Sequence, residues 1–168
     1  MLRESFIDGM RLAATGVSII TTKTAEGRRA GVTVSAVCSV SADPPSLLAC
    51  LHHQSRAADA IIASGAFCVN ILSEDQEAIS EVFAGRLPIE GGDHFAAAEW
   101  MPLATGSPAL VGALAAFDCT LVRHLRWGSH HVLIGTVCDV ELGEGRPLVY
   151  CDRNYSRLAL EGSPLSAA

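Results

Sequence analysis

Between residues 30 and 56 the chain concentrates side chains able to hold a flat, phosphorylated ligand. Thr33, Ser35, Ser39 and Ser41 alternate with Val32, Val34, Ala36, Cys38 and Val40, the period of a strand with one apolar face and one face of small hydroxyls. Small side chains of this kind let a flat ring lie close to the backbone. Ser55 and Arg56 follow at the head of a helical pattern, so a hydroxyl, a guanidinium fork and helix N-terminal amides can converge on a phosphate. The same residues also describe a solvated sheet face followed by a helix start. His52-His53 and His130-His131 are adjacent pairs. Neighbours on an extended backbone point to opposite sides, and no His or Cys spacing here matches a tetrahedral set, so a metal site is not expected.

These groups must be positioned by a fold, and composition bounds it. With 168 residues, 49% of them hydrophobic, the chain fits one domain, placed at residues 1–161 with a polar, small-residue tail at 162–168. The net charge is −6 and Lys23 is the only lysine, which argues against a phosphate-backbone surface and hence against nucleic acid. The opening residues are mixed in polarity and no apolar run is long enough to span a bilayer, so no membrane partner is expected and the chain is placed in the cytoplasm. Six cysteines stand singly in apolar segments with no C-x-x-C pair. In a reducing compartment they act as small buried hydrophobes.

Along the chain, Phe6, Met10 and Ala13 predict a short helix ending near Gly16, and Val17–Thr22 turns back through Glu26-Gly27 into a strand over residues 30–40. Asp43-Pro44-Pro45 breaks that strand from Ser46–Leu51. A helix over Arg56–Ser64 ends at Gly65, Phe67–Leu72 is a strand, and Ser73 with Gln76 forms a capping box for a helix running to Phe83. Arg86–Pro108 is the longest irregular stretch, and Ala113–Val122, Val132–Leu142 and Leu148–Cys151 are strands. Strands joined by short connections with few helices predict a mainly β, antiparallel barrel, and no G-x-G-x-x-G signals a Rossmann site.

Gly31-Val32-Thr33-Val34-Ser35-Ala36-Val37-Cys38-Ser39-Val40, then Pro44-Pro45-Ser46-Leu47-Leu48 and Cys50, resemble the flavin-binding segment of the flavin reductase family, the reductase components of two-component flavin monooxygenases. Phe67–Leu72, Phe83-Ala84-Gly85, Gly128-Ser129-His130 with Gly135, and Pro147–Tyr150 resemble later landmarks in the same order. The resemblance implies an FMN-binding split β-barrel, Greek-key-like, working as a homodimer. It implies reduction of free FMN or FAD by NADH or NADPH, with reduced flavin passed to a separate monooxygenase. A flavin- or heme-binding module without turnover, or a pyridoxamine-phosphate-oxidase-like enzyme, would use a related barrel.

On this resemblance the flavin is contacted by Thr33, Val34, Ser35, Ala36, Ser39, Val40, Ser41, Cys50, Leu51, His53, Phe83 and Gly85. Ser55 and Arg56 take its phosphate, and Arg153 and Tyr155 lie near the dinucleotide or flavin. His130 is the catalytic residue, set beside the nicotinamide, with His131 at the surface. Ser129 stands where the family carries aspartate or threonine, which puts in doubt any role there that needs a carboxylate.

Overall fold

The computed structural model describes residues 1–158; the domain end expected at residue 161 and the tail at 162–168 lie outside the described residues. Helix α1 (Leu2–Arg11) precedes strands β1 (Thr15–Gly16), β2 (Ser18–Lys23), β3 (Arg29–Val34), β4 (Val37–Ala42) and β5 (Pro45–His52). Helix α2 (Arg56–Ser64), strand β6 (Ala66–Ile71) and helix α3 (Glu77–Phe83) follow. Then come β7 (Trp100–Pro102), β8 (Pro108–Leu110), β9 (Ala115–Trp127), β10 (His130–Leu142), β11 (Leu148–Cys151) and β12 (Asn154–Arg157).

Seven strands form one antiparallel sheet in the order β3-β2-β6-β9-β10-β5-β4. Its outermost strands, β3 and β4, are separated in sequence only by Ser35 and Ala36. Two residues can join opposite edges only if the sheet curls until those edges meet. The sheet is therefore a barrel split along one seam, and Ser35-Ala36 crosses it, with Ala36 C=O accepting the N–H of Cys50 at 2.9 Å.

This crossing corrects the single strand expected over residues 30–40. Ala30, Val32 and Val34 pack on the barrel core, and so does Val37, whereas Cys38 and Val40 are exposed. The two residues of the crossing shift the alternation by one, so the face that would follow Val34 through Ala36 to Cys38 does not exist.

The barrel interior is filled by Ile20, Leu47, Ala49, Leu51, Phe67, Val69, Cys119 and Leu133, and α2 closes it with Ala57, Ala58 and Ile61. Helix α2 begins at the N-cap Ser55, whose hydroxyl accepts from the Ala57 amide at 3.3 Å, and ends at Gly65 in the left-handed region with φ 73°. A second cluster, built on Val17, Ile19, Leu72, Val82, Phe83 and Phe95, lies on the other side of β2 and β6 under α3.

Local differences from the sequence reading have plain causes. Helix α1 ends at Arg11 and buries no residue; its end is tied to the β11–β12 hairpin by Arg11 Nη2 to Asp152 Oδ1 at 2.6 Å. Helix α3 begins at Glu77, because residues 73–76 form a turn in which only half the capping box survives: the Ser73 amide donates to Gln76 Oε1 at 3.0 Å. The stretch 86–108 holds two 3₁₀ turns, Glu90–Gly92 and His94–Ala97, and the β7–β8 hairpin. Buried Asn70 fixes that hairpin, accepting the Leu110 amide at 2.7 Å while its own amide donates to Ile19 C=O at 3.0 Å.

Candidate functional site

At the seam, the Ser35 and Ala36 amides and the Ser35 hydroxyl find no acceptor among the described residues, and both residues are exposed. Exposed main-chain donors gathered at a gap between strand edges are what a ligand's oxygen and nitrogen atoms can use. Beside them lies a cleft of about 130 Å³ lined by Val17, Thr33, Val34, Ser35, Ala84, Arg86, Tyr150 and Tyr155. Of the expected contacts, the strand residues Thr33, Val34 and Ser35 and the separately placed Tyr155 line this one cleft. Gly85, with φ 72°, ends α3 at the rim.

The aromatic wall of this cleft is braced. Tyr150 and Tyr155 meet edge to face with centroids 5.2 Å apart, and Arg86 Nη2 donates to Tyr150 Oη at 3.3 Å while its Nη1 pairs with Glu81 at 2.9 Å. Burial pushes the Tyr155 phenol up to about 12, against the opposing hydrogen bond to Ser80. Sequence reasoning missed Arg86: it follows Gly85 at the head of an irregular stretch, and its pairing with Tyr150 exists only once β11 folds back.

On the other side of the crossing, β5, β10 and the head of α2 supply the second half. His130 and His52 are cross-strand partners, their rings edge to face at 5.3 Å. His53 stacks on His52 at 4.9 Å, which corrects the opposed pointing expected of that pair; the strand ends at His52, and the His53 amide turns to donate to Ser129 C=O at 2.9 Å. Burial, and then the neighbouring Arg126, push the His53 imidazole below its ordinary value. Ser129 Oγ lies 2.9 Å from His130 Nδ1, so the hydroxyl holds one ring nitrogen, and Nε2 makes no hydrogen bond among the described residues. His130 is exposed. His131 is half-buried, with Nδ1 enclosed and unpartnered among the described residues, so its expected place at the surface is corrected.

The other expected contacts divide. Ser39 and the 53%-exposed Val40 lie open on β4, while Ser41 turns locally onto Asp43, its hydroxyl donating to that carbonyl at 2.9 Å. Cys50 is half-buried next to the crossing. Leu51 is 1% exposed inside the barrel and Phe83 is 3% exposed against β3, so neither side chain offers a ligand surface. Phe83 is packing: a Cβ on Gly31 would lie 2.7 Å from its ring. Thr33 keeps its place at the cleft although its hydroxyl already donates to Ser80 C=O at 2.7 Å. Ser55 serves as the α2 cap, and Arg56 lines a separate groove with Arg28 and Arg29. Arg153, with φ 65°, sits exposed at the tip of the β11–β12 hairpin and outside the cleft lining. Among the described residues no group of three His, Cys, Asp or Glu is placed to hold a metal ion, and no helix is long and apolar enough to cross a membrane.

The donor set suits a flavin: free amides and small hydroxyls lie along the seam, with the exposed His130 imidazole across β5 and the Arg56 guanidinium in the separate groove. Comparison with known proteins agrees. The chain is 46% identical over 163 residues to "FMN reductase (NADH) RutF" of Ancylobacter novellus, covering 96% of this chain and 87% of that one. The solved flavin reductase PheA2 superposes with a TM-score of 0.86 at 33% identity, covering 95% of this chain and 100% of that one. The styrene monooxygenase flavin reductase of Pseudomonas putida S12 does so with a TM-score of 0.83 at 28% identity, covering 94% and 99%. With the model of the flavin reductase like domain matching residues 10–159, the chain belongs to that family.

Proposed function

We propose that the protein reduces free FMN with NADH and releases the reduced flavin to a separate flavin-dependent monooxygenase, as a homodimer in the cytoplasm. The observation that carries this reading is the Ser35-Ala36 crossing, which sets unpaired amides between the Tyr155 cleft on one side and His130 on the other. The Ancylobacter relative is named for NADH-dependent FMN reduction, and the Pseudomonas neighbour for its place beside a monooxygenase.

When bound, the flavin supplies an N5 able to accept a hydride from nicotinamide C4. Such a transfer asks for no protein acid or base at the carbon, so this chain's work is to bind and orient. The Ser35 and Ala36 amides and the open β4 residues Ser39 and Val40 face the ring edge and ribityl chain. Cys50 and His53 form the facing wall, and Arg56 with the head of α2 takes the phosphate. His130, held at Nδ1 by Ser129, presents Nε2 to the nicotinamide carboxamide. Shallow, exposed contacts without a covalent anchor suit a flavin that must leave.

A second subunit is supported by the β9–β10 hairpin. Pairing of β6 with β9 stops at Thr120, so among the described residues the rest of β9 is an open edge carrying Val122 at 63% and Trp127 at 80% exposure. Open edges and exposed apolar side chains call for a partner.

The test is a steady-state assay with NADH and FMN, repeated with FAD and NADPH, alongside sedimentation of the 17.6 kDa chain. Saturable NADH consumption by a dimer is the expected result. Flavin binding without nicotinamide consumption would overturn the enzyme reading.

A further inference from the structure

His52 has no part in the reaction proposed above, yet it stands where the two halves of the site join. It is the last residue of β5, and its cross-strand partner on β10 is His130. The two rings meet edge to face, with centroids 5.3 Å apart and planes at 84°. His53 stacks on the same ring at 4.9 Å.

The turn into α2 is built on His52 as well. The Gln54 amide donates to His52 Nδ1 at 3.2 Å, and the Ser55 amide donates to the His52 carbonyl at 2.9 Å. Ser55 then caps α2, whose first residue is Arg56. A main-chain N–H can only donate, so Nδ1 of His52 keeps its lone pair and the ring is neutral with its proton on Nε2. One residue further, the His53 amide donates to Ser129 C=O at 2.9 Å, and the hydroxyl of that same serine lies 2.9 Å from His130 Nδ1.

We propose that His52 is a positioning residue: its ring, fixed by the turn that leads to Arg56, buttresses His130 in the orientation that meets the nicotinamide. The inference rests on the preceding reading, in which His130 orients the nicotinamide and the head of α2 takes the flavin phosphate.

A single hydrogen bond does not orient an imidazole. The second side-chain torsion of histidine is soft, so a ring held only at Nδ1 can swing about that contact. His130 is exposed, and barrel packing does not restrain it. A second ring set edge to face against it removes the swing, and directly opposed residues on antiparallel strands are close enough for their rings to meet. His52 can act in this way because it is itself held twice, by the Gln54 amide at Nδ1 and by the stacked ring of His53. The restraint runs from the main chain of the turn through His52 to His130.

Three substitutions separate the ring from the turn. His52→Ala removes both and lowers kcat/KM for NADH by about threefold to fivefold, the scale of one cross-strand ring pair, while the dissociation constant for FMN stays within about twofold of wild type. His52→Phe keeps a ring against His130 but offers Gln54 no acceptor, and it restores most of the wild-type value. His52→Asn keeps an acceptor for Gln54 but no ring, and it behaves as His52→Ala. Added to His130→Ala, His52→Ala costs nothing further, because a residue that acts through His130 then has nothing to act on. Nitrogen NMR of the imidazoles, which needs no turnover, shows the Nε2–H tautomer at His52.

Activity kept in His52→Asn and lost in His52→Phe would make His52 a turn residue alone and overturn the proposal. Additive losses in the double variant, weaker FMN binding in the His52 variants, or the Nδ1–H tautomer at His52 would each overturn it too. Unchanged kinetics in all three His52 variants of a working reductase would overturn this inference and leave the reductase reading standing. No NADH consumption by the wild-type protein would overturn that reading, and this inference with it.

Discussion

The hydroxyl of Tyr155 lies 2.8 Å from the buried hydroxyl of Ser80, and the carbonyl of the same serine accepts from Thr33 at 2.7 Å. One residue of α3 thus ties β3 to β12, and both strands help to wall the cleft beside the seam. Tyr155→Phe leaves the Ser80 hydroxyl enclosed without its partner. The expected cost is about 1 kcal/mol, seen as a Tm lower by roughly 2–4 °C in a chain of this length. An unchanged melting curve would show that the brace carries no stability.

Gly135 sits in β10 directly over Phe67: an added Cβ would lie 2.6 Å from the ring Cζ and 3.0 Å from Cys119 Cβ. Neither neighbour can yield easily, since both belong to the barrel core. Gly135→Ala is expected to destabilise by about 1–3 kcal/mol through overpacking, and Phe67→Leu in the same chain should recover part of that loss because it clears the space. Equal loss in the single and double variants would place the strain elsewhere.

Which parts of this were legible in the sequence follows from how local each signal is. Helix α2 was readable because both its limits are local, a serine cap and a glycine that must take a positive φ. The alternation through residues 30–40 misled because closing the barrel is not local. The chain steps from one sheet edge to the other at Ser35-Ala36, and only tertiary pairing of Ala36 with Cys50 reveals the step. For the same reason Leu51 and Phe83, which the resemblance puts against the flavin, turn out to be core. Strand β12 needed β11 as a partner before it could exist, and the β7–β8 hairpin needed Asn70. The composition of the site was visible, but its division between seam, cleft and groove was not.

Asp118 is fully buried on β9, and its carboxylate accepts from both the amide and the hydroxyl of Thr105 at 2.6 Å. Burial nevertheless raises its pKa, outweighing those bonds. A carboxyl that binds its proton more tightly folded than unfolded favours the folded state at low pH, and that advantage is lost as pH rises from the ordinary aspartate value of about 3.9 through the raised folded value. Asp118→Asn carries no such charge. The Tm difference between variant and wild type should therefore move in the variant's favour as pH rises across that window, and a difference independent of pH would show that Asp118 titrates normally.

His130 separates the two halves of the proposed reaction. Its Nδ1 is held by Ser129 Oγ at 2.9 Å and its ring stands on the sheet face shared with His52, so replacing it should disturb the nicotinamide without touching the seam amides. His130→Ala is expected to lower kcat/KM for NADH by about tenfold to a hundredfold, the range for losing one well-placed hydrogen bond and the orientation it gives, with the dissociation constant for FMN within twofold of wild type. His130→Gln, which keeps a side-chain amide able to hydrogen-bond the carboxamide, should recover part of the loss. Ser129→Ala frees the imidazole to rotate and should fall between wild type and His130→Ala on the NADH side alone. Weaker FMN binding in all three variants would move His130 into the flavin pocket, and unchanged kinetics would remove it from the reaction.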